Sequence, residues 1–139
     1  MTAKEYLEQI RNYEKRISHI QEEIERLEAV ATNTTQTLTG MPHNPSPSQS
    51  RMADAVCKLI DKQEELRKEM VQLETLRTEV TAIIAQLSNP DERDVLYKRY
   101  IESKTWEDIA IEMYFSKRMI YYHHNAALKS FETILNQSV

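Results

Sequence analysis

Apolar side chains recur along residues 3–31 in alternating steps of three and four. Ala3, Ile10, Ile17, Ile24 and Ala31 mark one core position, and Tyr6, Tyr13, Ile20 and Leu27 mark the other. A helix with this spacing gathers its apolar side chains into one stripe that faces a partner helix, and the intervening Glu, Lys and Arg form a solvated surface. Thr2 followed by Glu5 has the spacing of a capping box, which predicts that the helix starts almost at the N-terminus. The pattern returns over residues 52–87 as Met52, Val56, Leu59, Gln63, Leu66, Met70, Leu73, Arg77, Val80, Ile84 and Leu87. Gln63 and Arg77 interrupt the second stripe. Either their stems pack and their heads reach water, or their polarity fixes register and oligomeric state.

Residues 32–50, TNTTQTLTGMPHNPSPSQS, hold the only Gly and three of the four Pro. This stretch predicts a flexible connector that lets the second helix fold back on the first. Neither helix, roughly 45 and 55 Å long at 1.5 Å per residue, can bury its stripe alone. They are expected to pair as an antiparallel hairpin, as a homodimer through the coiled coil, or both.

The character changes at residue 88. Ser88-Asn89-Pro90 reads as an N-cap followed by proline in a first turn. Helices are predicted at about 90–101, 105–113 and 116–135, with Thr105 and Ser116 as N-caps and breaks at 102–104 and 114–115. The expected organisation is therefore all-α, with a coiled-coil helical hairpin over 1–87 and a second helical domain over 88–139.

Composition narrows the chemistry. One Gly and four Pro leave little turn material for a multi-strand fold, and a single cysteine, Cys57, excludes a disulfide framework. Cys57 is expected to be a buried thiol. No apolar run reaches the roughly 18 residues of a membrane span, and Lys4, Glu5 and Glu8 leave no signal-peptide core. A cytoplasmic protein without membrane contact is expected. There is no Gly-rich phosphate loop, nucleophile–base pair or cluster with ligand spacing, so no enzyme activity, metal or cofactor is expected. The net charge is −4, but residues 116–130 contain Lys117, Arg118 and Lys129 and no acid. Such a basic helix on an acidic chain is an electrostatic footprint for nucleic acid.

The segment TWEDIAIEMYFSKRMIYYHHNAAL, residues 105–128, has the pattern of a helix-turn-helix. Ile109, Ala110 and Met113 supply the inner face of the first helix, Phe115 plugs the turn, and Ile120, Ala127 and Leu128 line the second. His123 is expected half-buried, and Tyr114 stands where such turns place a residue of positive φ. A short helix braces a second one steeply, so that its N-terminal half can enter a major groove.

From residue 91 onward the chain resembles sigma-factor region 4 over about 45 residues, through Leu96, Arg99-Tyr100, Trp106-Glu107-Asp108-Ile109-Ala110 and Ala127-Leu128. Its layout of coiled coil followed by helix-turn-helix also resembles small phage-encoded regulators of the ArpU/RinA type. These resemblances imply a sequence-specific, DNA-binding transcription regulator of phage or prophage origin. Double-stranded DNA is the implied partner, with RNA polymerase as a further candidate. The implied contact residues are Lys117, Arg118, Tyr121, Tyr122 and Asn125 on the recognition helix, Lys129 at a phosphate, Ser116 at the cap, and Thr105 and Trp106 through the start of the bracing helix. Alternatives are the DNA-recognition subunit of a phage packaging terminase, or a coiled-coil interaction protein whose helix-turn-helix only packs.

Overall fold

A computed structural model describes residues 1–38 and 47–137, without the side chains of 33–38 and 47–49. Five α-helices follow one another: α1 (Ala3–Leu38), α2 (Pro47–Ala85), α3 (Pro90–Leu96), α4 (Trp106–Met113) and α5 (Lys117–Gln137). The described residues contain no strand, so the fold is all-α with a long N-terminal helix. The connector expected over 32–50 is shorter at both ends, because α1 runs to Leu38 and α2 starts at Pro47. The expectation of flexibility at 39–46 lies outside the described residues.

The chain forms two compact units, Met1–Tyr13 with Leu73–Val139, and Glu14–Gln72. The division falls inside α1 and α2 and not at residue 87, so the first turns of α1 share a unit with the C-terminal helices.

In the 14–72 unit α1 and α2 pair antiparallel. Arg16 meets Glu69 at 3.3 Å, and Glu23 meets Lys62 at 3.0 Å. Seven residues forward on α1 match seven residues back on α2, which is a heptad register. Ile17, Ile20, Ile24 and Ala55 are buried there. The phase of the α2 stripe corrects the sequence expectation. Its inward positions are Met52, Ala55, Leu59, Lys62, Leu66 and Glu69, whereas Val56, Gln63 and Met70 are exposed. The stems of Lys62 and Glu69 cover the seam, and their heads reach the opposing helix as ion pairs. Cys57 is exposed, not buried, because the shifted phase turns it outward.

In the other unit the capping box forms as read. Thr2 Oγ1 accepts the Glu5 N–H, and Glu5 Oε2 accepts the Thr2 N–H, both at 3.2 Å. Leu7 is fully buried, while Tyr6, expected at the core position, is half-buried. Tyr6 lies 6.0 Å from the Phe131 ring of α5, and its hydroxyl donates to Glu79 Oε2 at 2.9 Å. A third helix packs on this end of α1, so the buried face is wider than a two-helix seam. Burial and the bond to Glu79 push the Tyr6 phenol up to about 12. Leu73, Leu76, Val80, Ile83 and Ile84 on α2, and Leu87 just after it, are buried in this unit.

Asn89 caps α3, its Oδ1 accepting the Asp91 N–H at 2.9 Å ahead of Pro90. Arg93 Nη1 donates to the Leu87 carbonyl at 2.6 Å and so ties α3 to the short connection that follows α2. α3 widens into a π-helical turn over Tyr97–Ile101, closed by the Glu102 N–H on the Tyr97 carbonyl at 3.0 Å. Ser103, at φ 56, then turns the chain toward α4.

Candidate nucleic-acid interface

α4 and α5 follow one another across a tight turn at 114–116, where the sequence pattern places the turn. Thr105 caps α4 from an extended conformation, with its hydroxyl accepting the Asp108 N–H at 3.2 Å. The helix ends at Tyr114, which is left-handed at φ 58 and ψ 35. The Phe115 N–H reaches the Ala110 carbonyl at 3.1 Å and the Tyr114 N–H reaches that of Ile111 at 3.3 Å, a Schellman closure. Tyr114 holds this conformation without being glycine, at a cost of roughly 1–2 kcal/mol for an L-residue. Its side chain is 94% exposed, so no packing requires the phenol. Ser116 Oγ accepts the Met119 N–H at 3.2 Å and begins α5.

Val95, Ile109, Ala110 and Ile120 form the core beneath the turn, with Trp106, Met113 and Phe115 packed against it. Each fully buried aliphatic side chain contributes about 1.5–3 kcal/mol, enough to fix a brace this short. Ala110 is small where a larger residue would push α4 off α5.

The inward line of α5 is Ile120, His124, Ala127 and Phe131. Leu128, expected on that face, is half-buried, and His124 takes an apolar position instead. Its Nε2 lies 2.8 Å from Tyr100 Oη, and its ring sits 4.7 Å from that of Trp106. Burial, then the charges of Arg99 and Lys4, pull the His124 imidazole down to about 4. Burial first, and Glu8 second, push the Tyr100 phenol up to about 12. Both groups are therefore neutral near pH 7 and share one hydrogen bond inside the core. His123 is half-buried as expected, with its ring 5.2 Å from Phe115.

The opposite side of α5 brings Lys117, Arg118, Tyr121, Tyr122, Asn125 and Lys129 into solvent. Lys117 Nζ is held by Glu107 Oε1 at 2.8 Å. That bond lowers the Glu107 carboxyl and raises the Lys117 ammonium from their ordinary ranges. The Tyr121 ring meets the Trp106 edge at 5.3 Å.

Trp106 stands apart from the other expected contacts. It is half-buried between Tyr121 and His124, and the Arg99 guanidinium lies 4.4 Å from its ring centroid. Arg99 Nη1 also donates to the Lys104 carbonyl at 2.9 Å. Burial, then nearby Arg11, lowers the affinity of Arg99 for its proton. Thr105 serves as a cap, and Glu107 and Asp108 follow it in the first turn of α4, so this helix start repels an anion. The Arg99–Trp106 stack and the Tyr100–His124 bond are not legible from periodicity, because the first joins two elements across the break at 102–104 and the second spans 24 positions.

Among the described residues no three His, Cys, Asp or Glu side chains are grouped to hold a metal ion, and no helix is long and apolar enough to cross a membrane. A family model described as a protein of unknown function, DUF1492, matches residues 46–132. No curated protein and no solved structure matches the chain.

Proposed function

The chain belongs to the DUF1492 family of proteins of unknown function, and on that premise we propose that it is a sequence-specific DNA-binding regulator of transcription. The observation that carries the reading is the division of α5 into two faces. Ile120, His124, Ala127 and Phe131 lock one face into the core, while Lys117, Arg118, Tyr121, Tyr122 and Asn125 stand exposed on the N-terminal half of the other. A helix presented this way can lie in a major groove with its first turns at the base edges. Arg118 suits guanine O6 and N7, Asn125 suits adenine N6 and N7, and a tyrosine ring packs on a thymine methyl. Lys117 and Lys129 supply phosphate charge from the two ends of the face. Ser116 and Thr105 act through the caps they form, and Trp106 acts by positioning Tyr121.

RNA polymerase is a further candidate partner in this reading, as the resemblance to sigma-factor region 4 implies. The experiment is selection of binding sites from random duplex DNA by the full chain, followed by salt titration on the enriched site. The expected result is one enriched motif with affinity at least 1,000-fold above random duplex, the low end for specific binders. Retention of random duplex with no enrichment would reduce the reading to non-specific DNA contact, and no retention at low salt would end it.

A further inference from the structure

α2 carries a second apolar line besides its seam with α1. Val56, Ile60 and Met70 are 41%, 59% and 50% exposed. With Gln63 and Arg67 between them, they follow steps of four and three along a face roughly 90° round the helix from the seam. The pattern is that of a two-stranded coiled coil, apolar toward its ends and polar at its centre.

The centre says what fits there. Glu64 and Arg67 hold each other along the helix through Arg67 Nη2 and Glu64 Oε1 at 2.7 Å and Arg67 Nε and Glu64 Oε2 at 3.2 Å, with both side chains more than half exposed. Opposite charges three residues apart are self-complementary about a two-fold axis. With two α2 helices antiparallel and Ile60 level with the partner's Met70, Gln63 comes level with the partner's Arg67. Arg67 then lies beside the partner's Glu64, and symmetry repeats every contact. A heterologous partner would have to supply this charge pattern independently, whereas a copy of the chain carries it already. We propose that this face of α2 binds a second copy of the chain, antiparallel, with Ile60 and Met70 as the apolar layers and the Glu64–Arg67 pairs exchanged across the axis.

The inference does not depend on DNA binding, and its test uses the full chain without DNA. Sedimentation equilibrium should give a dimer, and Ile60→Glu with Met70→Glu should give a monomer of unchanged helicity by circular dichroism. Glu64→Arg gathers four arginines at the axis and Arg67→Glu gathers four glutamates, so each variant alone should self-associate at least tenfold more weakly. An equimolar mixture of the two should recover the dimer, because each chain then carries the other's complement. Orientation is read from Cys57, which is exposed. The antiparallel register separates the two Cys57 positions by about 24 Å along the axis, far beyond disulfide reach. Copper–phenanthroline oxidation should therefore leave the dimer unlinked. The proposal is overturned by a monomer at every concentration, which would mean that something else occupies this face. A dimer indifferent to Ile60→Glu with Met70→Glu overturns it too, as does a mixture that fails to recover. Rapid Cys57–Cys57 linkage would replace the antiparallel arrangement with a parallel one.

Discussion

The buried imidazole of His124 makes this fold acid-sensitive within a defined window. Its proton affinity drops from the ordinary value of 6.5 to about 4 in the folded chain. Between those values the unfolded chain binds a proton that the native one refuses. Stability is therefore fully present above about pH 6.5 and is lost as the pH falls toward 4. At 1.36 kcal/mol per unit the loss amounts to about 3 kcal/mol. The clean perturbation removes both members of the bond. His124→Leu alone strands the Tyr100 hydroxyl, which is 1% exposed, and should cost about 1–3 kcal/mol at pH 7. Adding Tyr100→Phe removes the stranded group, so the double variant should lie near the wild type at that pH. Urea unfolding followed by circular dichroism at pH 7, 6, 5 and 4 measures the difference. The double variant should overtake the wild type through the window and lead by about 3 kcal/mol at pH 4. Parallel loss of stability by the two proteins would show that His124 is not the responsive group.

The other predictions concern the DNA face, the turn and the domain boundary. Glu107→Gln releases Lys117, held at 2.8 Å, and should tighten DNA binding and steepen the salt slope by about one unit in a salt titration. Arg118→Ala should cost about 1–3 kcal/mol on the selected site and relax one base pair, whereas Lys129→Ala should weaken all sequences evenly and flatten the slope by about one unit. Tyr114→Gly should raise stability by up to about 1 kcal/mol in thermal unfolding, and Tyr114→Val should lower it, because only glycine escapes the left-handed penalty. A fragment of residues 88–139 should lack a cooperative unfolding transition, since Leu7, Ile10, Val80 and Ile84 bury their side chains in the unit it belongs to.

Helix types were legible because the heptads, the Thr2–Glu5 box and the caps at Asn89, Thr105 and Ser116 are local signals. Phase was harder to read. On α2 the series Val56, Gln63, Met70 looks more apolar than Ala55, Lys62, Glu69, yet the second series faces α1. Lys62 and Glu69 turn inward because ionic partners wait on the other helix, which a single helix cannot announce. Tyr6 and Leu7 exchanged importance for a related reason, since Phe131 arrives from the far end of the chain. Within the candidate site, the exposed face of α5 follows from helical period alone, and so does most of its buried line. His124 did not, because a histidine reads as polar until Tyr100 and Trp106 close around it. Arg99 was visible as a cation, but its seat on Trp106 depends on the π turn and Ser103, which bend the chain by an amount that no propensity encodes.

The matched steps of seven on α1 and α2 make the paired helices a length that can change only in fixed increments. Removing residues 17–23 from α1 together with 62–68 from α2 would keep Arg16 opposite Glu69 and bring Ile24 level with Asp61, the partnership it already has in this register. Each such excision shortens the pair by about 10 Å and leaves every remaining layer in phase. Cutting one helix alone, or cutting a number other than seven, turns apolar positions out toward water. Insertions and deletions in relatives of this chain should therefore come in sevens, paired between the two helices, and a chain that breaks the rule should carry a compensating change in the opposite strand of the hairpin.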